Sequence, residues 1–105
     1  MNKTAYICSP YRADDDDQFQ AQIEYTKHLA KMAVMEGYDV IVPHLYYPQF
    51  LDDKVESERN TGMASAINLI LKCDILIMGL HHGMSDGMRA EIEFAKENNI
   101  PLKRV

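Results

Sequence analysis

The run Asp74-Ile75-Leu76-Ile77-Met78 constrains the fold most, because it is almost continuously apolar yet too short for a helix of ordinary length. A strand of this kind is buried on both faces, which requires helices above and below a largely parallel sheet. The neighbouring segments supply them. Residues 3 to 8 are rich in strand formers and stop at Ser9-Pro10, where proline removes a ladder donor. After Asp14 to Asp17 comes a long stretch without Gly or Pro, in which Phe19, Ile23, Thr26, Ala30, Ala33 and Val34 recur at helical spacing until Gly37 caps the helix.

Tyr38 to Val42 reads as a second strand closed by Pro43, and residues 44 to 58 read as a polar, aromatic loop long enough to be functional. Met63, Ile67, Ile70 and Leu71 mark a second helix, and His81 to Ser85 turns into a third from about Asp86 to Glu97. Pro101 to Val105 adds a short last strand. The order βαβαβαβ predicts a small doubly wound α/β domain with a four-stranded parallel sheet in the order 2-1-3-4 and helices on both faces. Its ligand crevice is expected beyond the carboxyl ends of strands 1 and 3, between the loops at Ser9 to Arg12 and His81 to Gly87, flanked by His44 to Asp53.

With 105 residues the chain has room for one domain, residues 1–105. Its net charge of -5 argues against a nucleic-acid polymer as partner, since neutralising a phosphate backbone needs a basic face. A small anionic ligand needs only one or two placed cations. No apolar run is long enough for a membrane span, and Met1-Asn2-Lys3 leads straight into the first strand, so a cytoplasmic protein is expected. Cys8 and Cys73 form no CxxC and are expected to be buried, reduced thiols.

The segment Ser85-Asp86-Gly87-Met88-Arg89-Ala90-Glu91-Ile92-Glu93-Phe94-Ala95 carries most of the chemistry. On a helical wheel Met88, Ile92 and Ala95 form the buried stripe; Glu91 lies about 60° to one side of it and Glu93 roughly 130° from its centre. Glu93, four residues after Arg89 and three before Lys96, reads as a surface ion pair. Glu91 borders the apolar stripe near a helix start that faces the crevice, which suits a nucleophile, although glutamates on helix flanks are usually just solvated. Gly87 permits close backbone approach, and Ser85 can be an anion ligand, a helix N-cap or both. Arg12 can clamp a phosphate or simply pair with the aspartates that follow it. Those aspartates in turn suit the positive end of a helix dipole better than a metal site. His44, His81 and His82 fall in crevice loops, but their spacing is not that of a zinc site, and no metal or cofactor is expected. Tyr46, Tyr47 and Phe50 can stack a base or pack the loop.

Through Tyr6-Ile7-Cys8-Ser9-Pro10-Tyr11-Arg12, Cys73-Asp74-Ile75-Leu76-Ile77 and Ser85 to Ala95, the chain resembles the nucleoside 2-deoxyribosyltransferase superfamily, which includes 2'-deoxynucleoside 5'-phosphate N-hydrolases. The likeness spans nearly the whole chain and is nearest to a short branch with the SPYR opening. The resemblance implies that Glu91 is the nucleophile at the anomeric carbon, with Tyr6 beside it, in N-glycosidic cleavage or deoxyribosyl transfer on deoxynucleosides or their 5'-monophosphates. It implies further that Arg12 and Ser85 hold a phosphate. Ser9, Pro10, His44, Gly87 and Met88 complete the expected substrate contacts, and a homodimer or higher homo-oligomer is implied. Two departures stand out. Ala66 occupies the position of an aspartate that handles the leaving base, with His44, Asp52 and Asp53 as conceivable replacements, and Pro10 stands where the hydrolases tend to have a serine. A nucleotide-binding module without turnover is therefore the alternative.

Overall fold

The computed structural model describes residues 2–10 and 15–105. Its elements run β1 (Thr4–Cys8), α1 (Asp16–Met35), β2 (Asp39–Ile41), α2 (Pro43–Tyr46), a 3₁₀ turn (Tyr47–Gln49), α3 (Glu56–Ile70), β3 (Ile75–Met78), α4 (Asp86–Glu97) and β4 (Leu102–Arg104). The sheet is four-stranded, ordered β2-β1-β3-β4, with every pairing parallel, as the alternation of elements predicts. Tyr6 stands in register with Ile41 on one side and Leu76 on the other.

Alternation along the central strands sorts the core into two layers. Ala5, Ile7 and Ile77 pack with Leu29 and Ala33 of α1, whereas Tyr6, Cys8 and Leu76 pack with Ile70 of α3 and with Met88, Ile92 and Ala95 of α4. Leu76 and Ile77, adjacent and both buried, meet opposite layers, which accounts for the unbroken apolar run. Asp74 sets the start of the β1–β3 ladder: its carboxylate accepts from the Thr4 N–H at 2.8 Å, and its own N–H donates to Thr4 C=O at the same distance.

Helix ends follow local chemistry. Asp15 is the N-cap of α1, accepting from the Gln18 N–H at 2.7 Å, and Asp16 and Asp17 fill the first turn. The far end closes as a Schellman motif, with the Tyr38 N–H on Ala33 C=O and Gly37 at φ +101.

Three expectations change. In α1 the buried face is Gln22, Thr26, Leu29 and Ala33, about one residue out of phase with the expected stripe, and Val34 is exposed. Thr26 is admitted because its hydroxyl donates to Gln22 C=O at 2.8 Å and contacts Ser9 Oγ at 2.7 Å. In α3 the buried positions are Ala66 and Ile70, while Met63 and Leu71 are 49% and 53% exposed. The segment from residue 44 to 58 is not a continuous loop: α2, the 3₁₀ turn and the first turn of α3 occupy much of it. Pro43 there starts α2, where a missing N–H costs nothing.

Beyond β3 the chain passes very close to α1. A Cβ on Gly79 would overlap Leu29 Cδ1 and come within 2.8 Å of the Tyr25 hydroxyl. Gly79→Ala is therefore expected to lower stability by about 1–3 kcal/mol through overpacking, which thermal denaturation would register as a fall in Tm of several degrees. An unchanged Tm would show that Leu29 and Tyr25 yield freely.

Candidate active site

Glu91 is the element of the site that polarity alone would place in water. It lies one turn after Met88 on α4, is 7% exposed, and is the one charged side chain in the buried set among the described residues. Glu93, two residues on, is exposed and 3.8 Å from Lys96, the surface pair its spacing predicts. Below Glu91 lie Tyr6 and Cys8, two residues apart on β1 and so on the same face of the sheet, both fully buried.

The three polar groups are only partly satisfied. Tyr6 Oη and Glu91 Oε2 are buried without a hydrogen bond of full geometry, although the phenol and the Cys8 thiol both face the carboxyl. Burial pushes the Glu91 carboxyl up from 4.5 to about 7, against the opposing pull of Cys8 and Tyr6. Burial and the Glu91 charge together hold the Tyr6 phenol and the Cys8 thiol far above their ordinary values, so both stay protonated. The arrangement is a carboxyl poised between its two forms near neutrality, over two obligate donors.

Ser85 is the N-cap of α4, its Oγ accepting from the Met88 N–H at 3.2 Å. Acceptance leaves the hydroxyl proton available to a second partner. Gly87 has no steric obligation to the protein, because a Cβ there would meet only Ser85 Oγ, at 3.9 Å. The space beside Gly87 in the first turn of α4 is therefore open to a group approaching the backbone. The Met88 side chain is in the core, and the Cys8 thiol lies 4.0 Å from its carbonyl.

The other expected residues sit at the exit of β1, on α2 and the turn after it, and between β3 and α4. Ser9 is fully buried and turned to α1: since Thr26 donates to Gln22 C=O, the Ser9 hydroxyl is the donor to Thr26 Oγ1. Pro10 is buried beside it. His44, on α2, is held neutral, with burial pushing it down to about 4 and Asp53 pulling the other way. Tyr46 of α2 lies near Tyr6, and its own phenol is raised to about 12, chiefly by burial. The rings of Tyr46, Tyr47 and Phe50 pack on one another, at centroid distances of 4.7 and 5.8 Å, and Tyr47 Oη reaches Ser65 Oγ of α3 at 2.6 Å. His81 and His82 pack against Tyr25 and against each other rather than pointing apart, with the His81 N–H donating to the Tyr25 hydroxyl at 3.3 Å. Arg12 lies outside the described residues.

Ala66 is buried on α3. Asp52 and Asp53 border an open groove of about 430 Å³ that includes Phe50 and Glu58 but neither Glu91 nor Tyr6. The Asp52 carboxylate accepts from the Lys54 N–H at 2.9 Å and so serves its own turn. Sequence reasoning missed Cys8 as a neighbour of Glu91. The signal was present in the period of two that places residues 6 and 8 on one face.

A family model described as a domain of unknown function (DUF7768) matches residues 3–105. No curated protein matches. Among solved structures, the chain is similar to a 2-deoxyribosyltransferase from the psychrotolerant bacterium Bacillus psychrosaccharolyticus, with a TM-score of 0.76 and 15% identity over 96% of this chain and 70% of that one. At that identity the likeness establishes a shared fold, the flavodoxin-like arrangement described above. Among the described residues no helix is long and apolar enough to cross a membrane.

Proposed function

We propose that this chain, which belongs to the DUF7768 family, is a single deoxyribosyltransferase-like domain that cleaves the N-glycosidic bond of deoxynucleosides or their 5'-monophosphates. The observation that carries this reading is the buried Glu91 carboxyl above the Tyr6 hydroxyl, in a fold shared with a 2-deoxyribosyltransferase. In the first step a Glu91 oxygen bonds to C1' as the C1'–N bond breaks; the electron pair leaves on the base nitrogen, which takes up a proton. Water, or a second base, then bonds to C1' and displaces the carboxylate, losing its own proton to solvent. Tyr6 orients the carboxyl. Because residue 66 is alanine, the proton for the leaving base comes from solvent water, and turnover should be slower by about 10²–10⁴ than with a placed acid.

Ser85, Gly87 and the free N–H groups at the start of α4 form the end of the site that takes a 5'-phosphate, with Arg12 as its cation. Ser9 contributes a backbone group, since its side chain is engaged with Thr26, and Met88 supports the cradle through its N–H on Ser85 Oγ. Pro10 and His44 border the sugar and base. Exposed Met63 on α3 and Leu71 at its C-cap favour assembly into a homo-oligomer.

The test is chromatographic detection of free base after incubation with each deoxynucleoside and each 5'-monophosphate. Ser85→Ala should raise KM for the monophosphates at least about tenfold and leave the unphosphorylated substrates little changed, as expected for loss of a hydrogen bond to a charged group. The buried alanine at position 66 favours one second reading, a nucleotide-binding module without turnover. Under it no substrate releases base, while deoxynucleoside monophosphates still raise Tm.

A further inference from the structure

Gln22 is a buried polar side chain to which the chemistry set out above gives no task. It is 6% exposed on the inner face of α1, and among the described residues its Oε1 is enclosed without a hydrogen-bond partner. A buried acceptor left unpaired is destabilising, and a methionine of similar size would escape that cost. Its neighbours fix its height above the sheet. Thr26, one turn later on α1, donates to the Gln22 C=O at 2.8 Å and meets Ser9, the first residue beyond β1, at 2.7 Å. Thr26 is thus level with the end of β1. Since α1 returns the chain to a strand parallel to β1, it runs antiparallel to both, and Gln22 stands about 6 Å further out than Thr26. Helix side chains lean toward the N-terminus, which carries the amide further still. Tyr25, beside it on α1, reaches past the end of β3, where its hydroxyl accepts from the His81 N–H at 3.3 Å. Gln22 therefore lies beyond the carboxyl ends of the central strands, where the chain leaves β1 and β3 for opposite faces of the sheet. Across that crevice stands the N-terminus of α4.

We propose that Gln22 reads the 3'-hydroxyl of the deoxyribose, its Oε1 accepting from the O3'–H. The inference deepens the glycosidase reading and rests on it for the pose of the sugar. In that pose Glu91 addresses C1' and the Ser85 end of α4 holds the 5'-phosphate, so the C1' and C4'–C5' sides of the ring are both turned to α4. The edge left for α1 is C2'–C3'. In a 2'-deoxynucleoside C2' carries only hydrogens, and the 3'-hydroxyl is the one hydrogen-bond donor on that edge. A glutamine Oε1 only accepts, which matches a hydroxyl and nothing else there. The terminal torsion of glutamine is soft, so the enclosed amide turns toward an incoming donor at little cost. A site built to bond a hydroxyl rejects the analogue that lacks it, because its own polar group then stays unpaired.

The experiment compares each 2'-deoxynucleoside 5'-monophosphate with its 2',3'-dideoxy counterpart, in proteins with Gln22 and with Gln22→Met. Affinity is read by titration calorimetry in a Glu91→Gln background, where no base is lost, and kcat/KM by base release with Glu91 in place. With Gln22 present the deoxy form should bind about tenfold more tightly than the dideoxy form, and kcat/KM should show the same ratio. Gln22→Met should bring both ratios to within about twofold of unity by weakening the deoxy ligand, and should melt no lower than its parent. An amide that serves only the chain itself would instead lower Tm on replacement and affect the two ligands alike, which overturns the proposal. Equal affinity for both forms in the protein that keeps Gln22 overturns it too, even if base release is found. A ratio in binding that Gln22→Met removes, with no base release from any protein, supports the contact and counts against turnover instead. Binding of neither form overturns both.

Discussion

Glu91→Gln should melt higher than the wild type at pH 8 while releasing no base at all. The two effects have one cause. A carboxyl raised from 4.5 to about 7 by burial is held protonated in the folded protein over a range where the unfolded chain has already released its proton. Between those two values the folded state binds more protons than the unfolded one, so stability falls as pH rises through that window and the full cost is present above it. At 1.36 kcal/mol per unit the cost is about 3 kcal/mol, and glutamine, neutral and nearly isosteric, escapes it. For a domain of this size that corresponds to roughly 10 °C or more in Tm at pH 8.

At pH 4, where Glu91 is protonated in both states, the advantage should vanish. His44 works in the opposite sense: held neutral down to about 4, it makes the fold lose stability as pH falls from its ordinary value near 6.5. Being common to both proteins, it cancels in the difference. Thermal denaturation of the pair from pH 4 to 8 checks the prediction, and a gap that does not change with pH would show that Glu91 is not buried in its charged form. A higher Tm for the amide would mean that the carboxylate is kept against stability, as the nucleophile role proposed for Glu91 requires.

How far the sequence could be read follows from what a pattern encodes. The adjacent Leu76 and Ile77 had to face opposite ways on a strand, so burial on both faces and the parallel sheet were legible. Glu91 and Glu93 were separable because a helix turns 100° per residue and only one of them borders the apolar stripe. The phase of α1 and α3 was less legible, since a helical period shows that a face exists and not which residues border it. Thr26 is polar yet inward because Ser9 and the helix backbone satisfy its hydroxyl, a contact from residue 9 to 26 that no local pattern carries. Likewise α2 hides in an aromatic, proline-containing stretch whose turns are held by the rings of Tyr46, Tyr47 and Phe50 and by the bond from Tyr47 to Ser65. The site divides in the same way: residues read from one element, such as Ser85 capping α4, were accessible, whereas the meeting of Cys8 with Glu91 required the packing of α4 on β1.

The second large effect is kinetic. Base release from an unphosphorylated deoxynucleoside should rise about tenfold for each pH unit from 5 to 7 and then level off, so that kcat/KM at pH 5 is roughly 1% of its plateau. The sign is set by the role: a nucleophile works as the anion, and only the fraction of Glu91 that has lost its proton can bond to C1'. A carboxyl at its ordinary value near 4.5 would be fully charged over most of this range and would give an almost flat profile. A general acid would give the reverse slope, falling above pH 7. The unphosphorylated substrate matters here, because a 5'-phosphate ionises near pH 6 and would superimpose its own limb. Measuring the same profile with the monophosphate then isolates the phosphate's contribution, and Tyr6 variants locate the limb on Glu91 by moving it. A profile that stays level from pH 5 to 8 with the free deoxynucleoside would show that the working carboxylate is not one raised to about 7 by burial.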